Sequence, residues 1–364
     1  MIGTSLLFSG SIGGLLTPFD SVAPTAGYSL RNLSLSYSGA VVRVRKDITG
    51  NPEQDFTASQ ITNGTLSNFL ETLGTDAHSQ SVSTQFEDLS DVSLICDCNS
   101  GGTDELDAFD ALYENGFVSK WYDQFGSNDA TQTSASSQPK IWDASTGLVT
   151  ENGKPAFDFD GTDYLDNISL VIPQPSTYFI VYRYDNVTDF DKTDIIDGIV
   201  SRNLIDITTG GFHRMFGGTN FISSLPATTL HELSYNLFNS ISSQKAINGG
   251  VIQTGDAGTG QLEGLLIGAR NGLGAKFDGT IQELIIYNSD QSANRTKIED
   301  NINTYFILYG LKHYRQRVLA DSGTFALQGR DALVYNSVTI PEMPSLICSC
   351  DAYKATKLYN INPA

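Results

Sequence analysis

Carboxylates are the side chains of this sequence whose type and number best suit acid–base chemistry. The sequence holds 41 Asp and Glu residues, and paired carboxylates about 5–5.5 Å or about 6.5–9.5 Å apart cleave glycosidic bonds. The acids that stand in strongly patterned segments are Asp123, Asp160, Asp163, Glu263 and Glu283. Among so many acids some pair meets either distance by chance, and Asp in such turns more often anchors a loop. We therefore expect none of them to be catalytic.

Three aspartates have the spacing of an oxygen-ligand loop. Asp158, Asp160 and Asp163 surround Gly161 in the string DFDGTD, and carboxylate oxygens are the ligands that calcium prefers. The later Glu that completes an EF-hand loop is missing, and a β-turn explains Gly161 equally well. The three aspartates are the candidate metal ligands, with calcium as the ion, and we expect no other cofactor.

Aromatic side chains suggest a sugar-binding surface. Trp121, Tyr122 and Trp142, with Asp123 beside them, are the candidate carbohydrate-binding residues, because aromatic faces pack on the apolar faces of sugars. Neighbouring residues of a strand point to opposite faces, so at most one of Trp121 and Tyr122 is exposed there. The alternative is that Trp121 lies in the core while Tyr122 forms a hydrogen bond at the strand edge.

The four cysteines form two Cys-x-Cys pairs, Cys96/Cys98 and Cys348/Cys350. Residues two apart in a strand point to the same face at a separation that suits a disulfide poorly. Cross-pairing of the two motifs and a four-thiolate zinc site are alternatives, and reduced thiols packed in strands are the prediction. The four histidines, His78, His213, His231 and His313, lack the spacing of a transition-metal site.

The charge and the hydropathy of the sequence argue against several classes of function. Lys and Arg number 22 against 41 acids, so the formal net charge is −19, which disfavours nucleic acid as a partner. The one basic cluster, Arg43, Arg45 and Lys46, is typical of a solvated face or of ion-pair partners. No apolar run is long enough to span a membrane. The first 16 residues contain no Lys or Arg, so we expect no secretory signal.

The elements that must position these residues are mostly strands. Val42 and Val44 alternate with arginines, and Ser176–Tyr184 (STYFIVYRY) predicts a central strand. Further strands are predicted at regular spacing: 195–201, 211–216, 230–238, 246–253, 262–270 and 280–287. Asn152-Gly153 predicts a hairpin turn and Gly161 a second turn. Helices are predicted over 65–73, 103–115 and 292–312.

Several strings follow one another in a recognisable order. They are YSLR (28–31), VRVR (42–45), EQD (53–55), WYDQ (121–124), DATQ (129–132), QP (138–139), NGKP (152–155) and FDGTDYL (159–165). As a set they resemble the laminin-G/concanavalin-like domain of bacteriophage structural proteins and bacterial surface proteins. They are also similar to the catalytic-domain scaffold of fungal-type α-L-arabinofuranosidases. The resemblance covers residues 26–312, and ADSGTFAL (320–327) resembles short segments of phage virion proteins.

The resemblance implies an all-β fold. We expect a concanavalin/laminin-G-like antiparallel β-sandwich, a jelly roll, with a C-terminal helix and a small β appendage. Residues 1–25 would form an N-terminal arm, 26–314 the sandwich, and 315–364 a C-terminal appendage.

The function implied is that of a bacteriophage virion structural protein. Such a protein would serve as a head fibre, a tail fibre or a capsid decoration that contacts host glycans, in the virion or at an extracellular surface. The arabinofuranosidases carry a vicinal Cys-Cys in the active site, and this chain has only Cys-x-Cys. Their catalytic carboxylates find no matched segment here, so we expect the protein not to be an enzyme. An arabinofuranosidase-like glycoside hydrolase and a bacterial surface adhesin are the alternatives.

The expected partners follow from this role. They are other virion proteins, a host surface glycan and further copies of the chain, with a trimer favoured for a fibre. The 315–364 segment is too small to form a core of its own, yet it is rich in apolar residues. We expect it to pair with a neighbouring subunit or another virion protein as an assembly interface. The alternative is that it folds back to extend the sheet of its own chain.

Overall fold

The structure, a computed structural model, describes Phe19, residues 22–72 and residues 112–309. Within these residues the regular structure is mostly antiparallel β-sheet. Short runs of β-branched and aromatic residues, broken by Gly, Asn and Asp, favour strands that pair with their neighbours. The prediction of an all-β sandwich with a C-terminal helix is therefore confirmed. The predicted β appendage and all four cysteines lie outside the described residues.

The strands follow one another with short connections. Up to the turn at Gly161 they are β1 (Ala26–Ser29), β2 (Val42–Lys46), β3 (Glu53–Phe56), β4 (Glu71–Thr72), β5 (Leu112–Tyr113), β6 (Gly116–Trp121), β7 (Ala130–Thr131), β8 (Lys140–Asp143), β9 (Gly147–Leu148), β10 (Thr150–Glu151), β11 (Lys154–Pro155) and β12 (Phe157–Asp160). Two short helices, α1 (Ala58–Thr62) and α2 (Thr65–Leu70), lie between β3 and β4. The helix predicted over 103–115 falls mostly outside the described residues, and its end belongs to β5.

Eleven further strands complete the sandwich. They are β13 (Leu165–Ile172), β14 (Ser176–Tyr184), β15 (Ile196–Asp197), β16 (Leu204–Ile207), β17 (Phe212–Phe216), β18 (Asn220–Pro226), β19 (Glu232–Phe238), β20 (Ser243–Ile247), β21 (Gln253–Gly255), β22 (Leu262–Ile267) and β23 (Asp278–Tyr287). The predicted central strand is confirmed, because β14 pairs with β19 on one side and with β23 on the other. The strand predicted over 246–253 is wrong: Asn248 and Gly249, both with positive φ, turn the chain between β20 and β21.

Two runs of antiparallel strands diverge from β6. The first follows the order β3-β2-β6-β8-β12-β23-β14-β19-β20-β21, with β1 also paired to β23. The second follows the order β6-β7-β13-β22-β15-β16-β17-β18. Because the side chains of a strand alternate between its faces, each run can bury one face and expose the other.

The two runs enclose one apolar core. The ring of Trp121 in β6 lies 4.8 Å from that of Phe157 in β12 and 5.6 Å from that of Tyr28 in β1. Further along, the ring of Tyr184 in β14 lies 6.4 Å from that of His213 in β17, so the first run faces the second. All five side chains are fully buried. Polar side chains line the opposite face at β12, whereas β14, β19 and β23 are buried on both faces.

A second compact unit begins at Asn294. It contains α3 (Arg295–Phe306), which confirms a helix inside the predicted range 292–312. The Oδ1 atom of Asn303 accepts hydrogen bonds from the backbone N–H groups of Leu308 and Tyr309, and this contact ends the helix. None of the helices in the described residues has the length and apolar character needed to span a membrane.

Candidate functional site

A cleft of about 410 Å³ opens on the outer face of the first run of strands. Its lining residues are mostly polar or charged: Arg45, Asp47, Phe117, Ala135, Ser136, Gln138, Lys140, Asp158, Asp160 and Asp163. We call it the aspartate cleft. It has the size of a small-molecule site and gathers convergent polar groups, as binding sites do.

Four neighbouring strands build the floor of the aspartate cleft. Arg45 in β2 lies opposite Phe117 in β6, Phe117 lies opposite Lys140 in β8, and Lys140 lies opposite Asp158 in β12. The four side chains therefore form one row across the sheet, on the face away from the core. A half-buried aromatic ring stands in this row beside cations and a carboxylate, which gives both apolar and polar contacts to a ligand.

Several contacts hold the guanidinium of Arg45 in one orientation. Its Nε donates to Oε1 of Gln138 over 2.6 Å, and its Nη1 donates to Oδ1 of Asp47 over 2.7 Å. The guanidinium also lies 4.9 Å from the centre of the Phe117 ring, within cation–π range. The basic cluster in the sequence thus splits: Arg43 forms an exposed ion pair with Asp55, whereas Arg45 is buried in the wall of the cleft.

The end of β12 and the turn after it present the carboxylates of Asp160 and Asp163 to the cleft. Phe157 and Phe159 point into the core, so the alternating Asp158 and Asp160 point outward. The Oδ1 atom of Asp160 accepts hydrogen bonds from the N–H and Oγ1 of Thr162, over 2.8 and 2.6 Å. The Oδ2 atom of Asp163 accepts from the Asp160 N–H over 3.1 Å. These contacts hold the two side chains close together.

The surroundings shift the pKa values of the two carboxyls in opposite directions. Burial, reinforced by the neighbouring Asp160 and Asp158 carboxylates, raises the pKa of Asp163 to about 7. Burial also acts on Asp160, but the hydrogen bonds from Thr162 outweigh it and lower the pKa of Asp160 below its usual value. At neutral pH the pair therefore holds one ionised carboxylate and one carboxyl that carries a proton part of the time.

Asp158 completes the group of acids. Burial, and then the charge of Asp185, raises its pKa, while Lys140 acts in the opposite direction. The candidate calcium ligands Asp158, Asp160 and Asp163 thus do line one cleft. However, no three His, Cys, Asp or Glu side chains within residues 22–72 and 112–309 are grouped as metal ligands would be.

The other carboxylates considered from the sequence lie outside the aspartate cleft. Asp123 is buried and accepts hydrogen bonds from the backbone N–H groups of Gly27 and Phe125, so it anchors a loop. Glu283 is fully buried and forms an ion pair of 2.7 Å with Arg31. Glu263 is half-buried on β22, outside the aspartate cleft. Only Asp160 and Asp163 of the five line it.

The predicted sugar-stacking platform needs correction. Trp121 is fully buried between Tyr28 and Phe157, so it presents no face to a ligand. Tyr122 donates to Oδ1 of Asp55 over 2.8 Å on the other face of the strand, as the alternative interpretation expected. Trp142 packs against Tyr113. The chain does not bring these three rings together, and Asp123 does not join them.

The sequence pattern did not identify three residues of the cleft: Phe117, Gln138 and Lys140. Each stands in a short strand or turn whose pattern is unremarkable by itself. The one sequence signal is alternation, because Phe117 and Lys140 occupy the outward positions of strands whose neighbours Val118 and Ile141 are buried. Only the register of β2, β6, β8 and β12 reveals that they meet.

Comparisons with known proteins find similarity at the level of fold. An α-L-arabinofuranosidase of glycoside hydrolase family 54, soaked with a cyclic sulfate inhibitor, matches with a TM-score of 0.50 at 12% identity, over 80% of this chain and 64% of that one. An arabinofuranosidase complexed with arabinofuranosyl-α-1,2-xylobiose matches with a TM-score of 0.48 at 13% identity, over 79% and 64% of the two chains. A Trypanosoma rangeli sialidase in complex with sialic acid reaches only 0.37 at 10% identity, over 52% and 32%. The chain thus spans about 64% of the length of the arabinofuranosidases.

No protein-family model matches the sequence, and no curated protein matches it either. The likeness to the family 54 enzyme supports the arabinofuranosidase part of the resemblance as a shared fold, and the phage laminin-G part gains no support. The prediction that the chain is not an enzyme is wrong on this finding, because the fold that it shares with the family 54 arabinofuranosidase is the fold of a glycoside hydrolase. Virion, fibre and capsid roles likewise gain no support.

Proposed function

We propose that this protein is a glycoside hydrolase and that the aspartate cleft is its active site. The observation that carries the proposal is the pair Asp160 and Asp163, whose pKa values are displaced in opposite directions within one cleft. Acid–base hydrolysis of a glycosidic bond requires one protonated and one ionised carboxyl group at the same pH. The fold shared with a family 54 arabinofuranosidase suggests α-L-arabinofuranosides as the first substrates to examine.

In this proposal Asp163 is the general acid. Its proton passes to the glycosidic oxygen as the bond from that oxygen to the anomeric carbon breaks, so the leaving group departs as an alcohol. Asp160 is the ionised partner, and its carboxylate stabilises the positive charge that develops at the anomeric carbon. Water completes the hydrolysis and returns the proton to Asp163. Phe117 offers an apolar surface to the sugar ring.

The test is release of sugar from 4-nitrophenyl α-L-arabinofuranoside, arabinan and arabinoxylan by the full chain. We expect hydrolysis by the wild type and a loss of roughly 10²–10⁴-fold in kcat/KM for Asp163→Asn and for Asp160→Asn. Asp166→Asn is the matched control, because burial also raises the pKa of Asp166 but Asp166 lies outside the cleft. If Asp160→Asn and Asp163→Asn were as active as the Asp166→Asn control, the proposed pair would be excluded. A wild type inactive on all three substrates would exclude this substrate class.

A further inference from the structure

A second cleft, of about 370 Å³, lies on the outer face of the second run of strands. It shares no lining residue with the aspartate cleft. Two guanidinium groups, those of Arg214 and Arg270, line it, and we call it the arginine cleft. Arg214 stands between Asp206 and Ile222 across β16, β17 and β18, so its position is set by strand register.

Buried acids orient both guanidinium groups. The Arg214 Nε donates to Oδ1 of Asp206 over 2.8 Å, and its Nη2 donates to the other oxygen of the same carboxylate. The Arg270 Nε donates to Oδ1 of Asp194 over 3.0 Å, and its Nη2 reaches Oδ2 of Asp206 at 3.5 Å. Asp194 and Asp206 are fully buried, whereas the arginine side chains are 32% and 22% exposed for Arg270 and Arg214 respectively. The buried acids thus bind one edge of each guanidinium, and the exposed part of each arginine side chain lines the cleft.

Donors remain free on this outer edge. A guanidinium carries five N–H groups, and Nη1 of Arg270 makes no hydrogen bond within the described part of the chain. Within the same residues, Nη1 of Arg214 makes a single long contact, 3.4 Å, to Oδ1 of Asn220. Planar N–H donors held in a fixed orientation match the geometry of a carboxylate. Since the buried acids already fix both side chains, a ligand would lose little entropy in ordering them.

The remaining lining residues suit a sugar ring. Phe190 and the exposed Ile222 give apolar surface, while the hydroxyl of Thr208, the amide of Asn220 and the carboxylate of Asp191 can bond to hydroxyl groups. A bare inorganic anion would leave these groups unused. A neutral sugar would leave the arginine donors unused.

We propose that the arginine cleft binds an acidic sugar, a hexuronate residue, through its carboxylate. Arg214 and Arg270 bind the carboxylate, and the polar and apolar rim binds the ring. This inference does not depend on the proposed hydrolase activity, because it rests on other residues in another cleft.

The test is calorimetric titration of the full chain with D-glucuronate and D-galacturonate, beside D-glucose, D-galactose and acetate. Ile222→Asp puts a carboxylate next to Arg214 at an exposed position, so it blocks the site without disturbing the buried acids. Ile168→Asp is the matched control, since Ile168 is an exposed strand isoleucine outside the cleft.

We expect a uronate to bind the wild type and the Ile168→Asp variant alike, and Ile222→Asp to weaken binding about tenfold or more. We expect glucose, galactose and acetate to bind at least about tenfold more weakly than the uronates. Three results would overturn the proposal: no uronate binding to the wild type, equal binding of a uronate and its neutral sugar or acetate, or unchanged uronate affinity in Ile222→Asp.

Discussion

At the scale of single residues, the cleft chemistry depends on how neighbouring groups solvate each carboxyl. Asp160 and Asp163 have the same side chain and stand three residues apart, yet hydrogen bonds from Thr162 favour the ionised form of the first. Burial, and then the charge of Asp160, favours the protonated form of the second. In this turn, hydrogen bonds to the first Asp and burial of the second displace the two pKa values in opposite directions.

Lys245 is the residue that should make stability depend on pH above neutrality. It is fully buried, its Nζ donates to Oδ1 of Asn236, and burial lowers its pKa from 10.5 to about 7. Between these two values the unfolded chain binds a proton that the folded chain does not, so the free energy of unfolding rises with pH. We expect a rise of about 1 kcal/mol per pH unit between pH 7 and pH 9.

Urea denaturation at pH 7, 8 and 9 measures this slope. We expect Lys245→Met to flatten it, because the variant has no group at this position that titrates, and Lys276→Met, a half-buried lysine at the surface, to leave it unchanged. A slope that persists in Lys245→Met would show that another group is responsible. Between pH 4 and 7 the slope has the opposite sign. There the folded chain keeps protons on Asp163 and Asp194, whose pKa values are raised to about 7, and the unfolded chain has lost them. The free energy of unfolding therefore falls as pH rises towards about 7.

At the scale of elements, the turns decide where the acids point. Gly153 and Gly161 both have positive φ, at 70° and 85°, and the sequence predicted a turn at each. A Cβ at Gly153 would meet nothing within 4 Å, whereas one at Gly161 would lie 3.1 Å from Cε of Lys192. Gly153 belongs to the hairpin between β10 and β11, away from the aspartate cleft.

The two glycines therefore form a matched pair of tests. We expect Gly153→Ala and Gly161→Ala each to lower the free energy of unfolding by about 1 kcal/mol, because a side chain strains a backbone with positive φ. Only Gly161→Ala should also lower hydrolysis, because its turn sets the hydrogen bond from the Asp160 N–H to Asp163. Full activity in Gly161→Ala, with stability reduced, would show that this turn geometry is not needed.

The sequence predicts elements well where local pattern and tertiary environment agree. Ser176–Tyr184 is mostly aromatic and β-branched, and β14 has these bounds because it is paired and buried on both sides. The pattern fails at 246–253, where apolar residues flank an Asn-Gly turn that divides the segment. Trp121 and Tyr122 show the same limit, since alternation predicts opposite faces but does not identify the buried one.

At the scale of the whole molecule, both clefts depend on strand pairings that one sequence does not reveal. Arg45, Phe117, Lys140 and Asp158 are separated by up to 113 positions in the chain and meet because four strands align in one register. The turn acids Asp160 and Asp163 were recognised as a group because they are local in sequence. Arg214 and Arg270 had no such signal. The assembly role of residues 315–364 and the state of the cysteines stay predictions.

The pH dependence of kcat/KM on an α-L-arabinofuranoside tests whether Asp163 is the general acid of the aspartate cleft. We expect wild-type kcat/KM to fall above a pH of about 7, where Asp163 loses its proton. Asp158→Asn removes one of the charges that raise the Asp163 pKa, so this fall should shift to lower pH while the variant remains active. A fall at the same pH in both proteins, or an alkaline limb that survives in Asp163→Asn, would show that Asp163 is not the general acid.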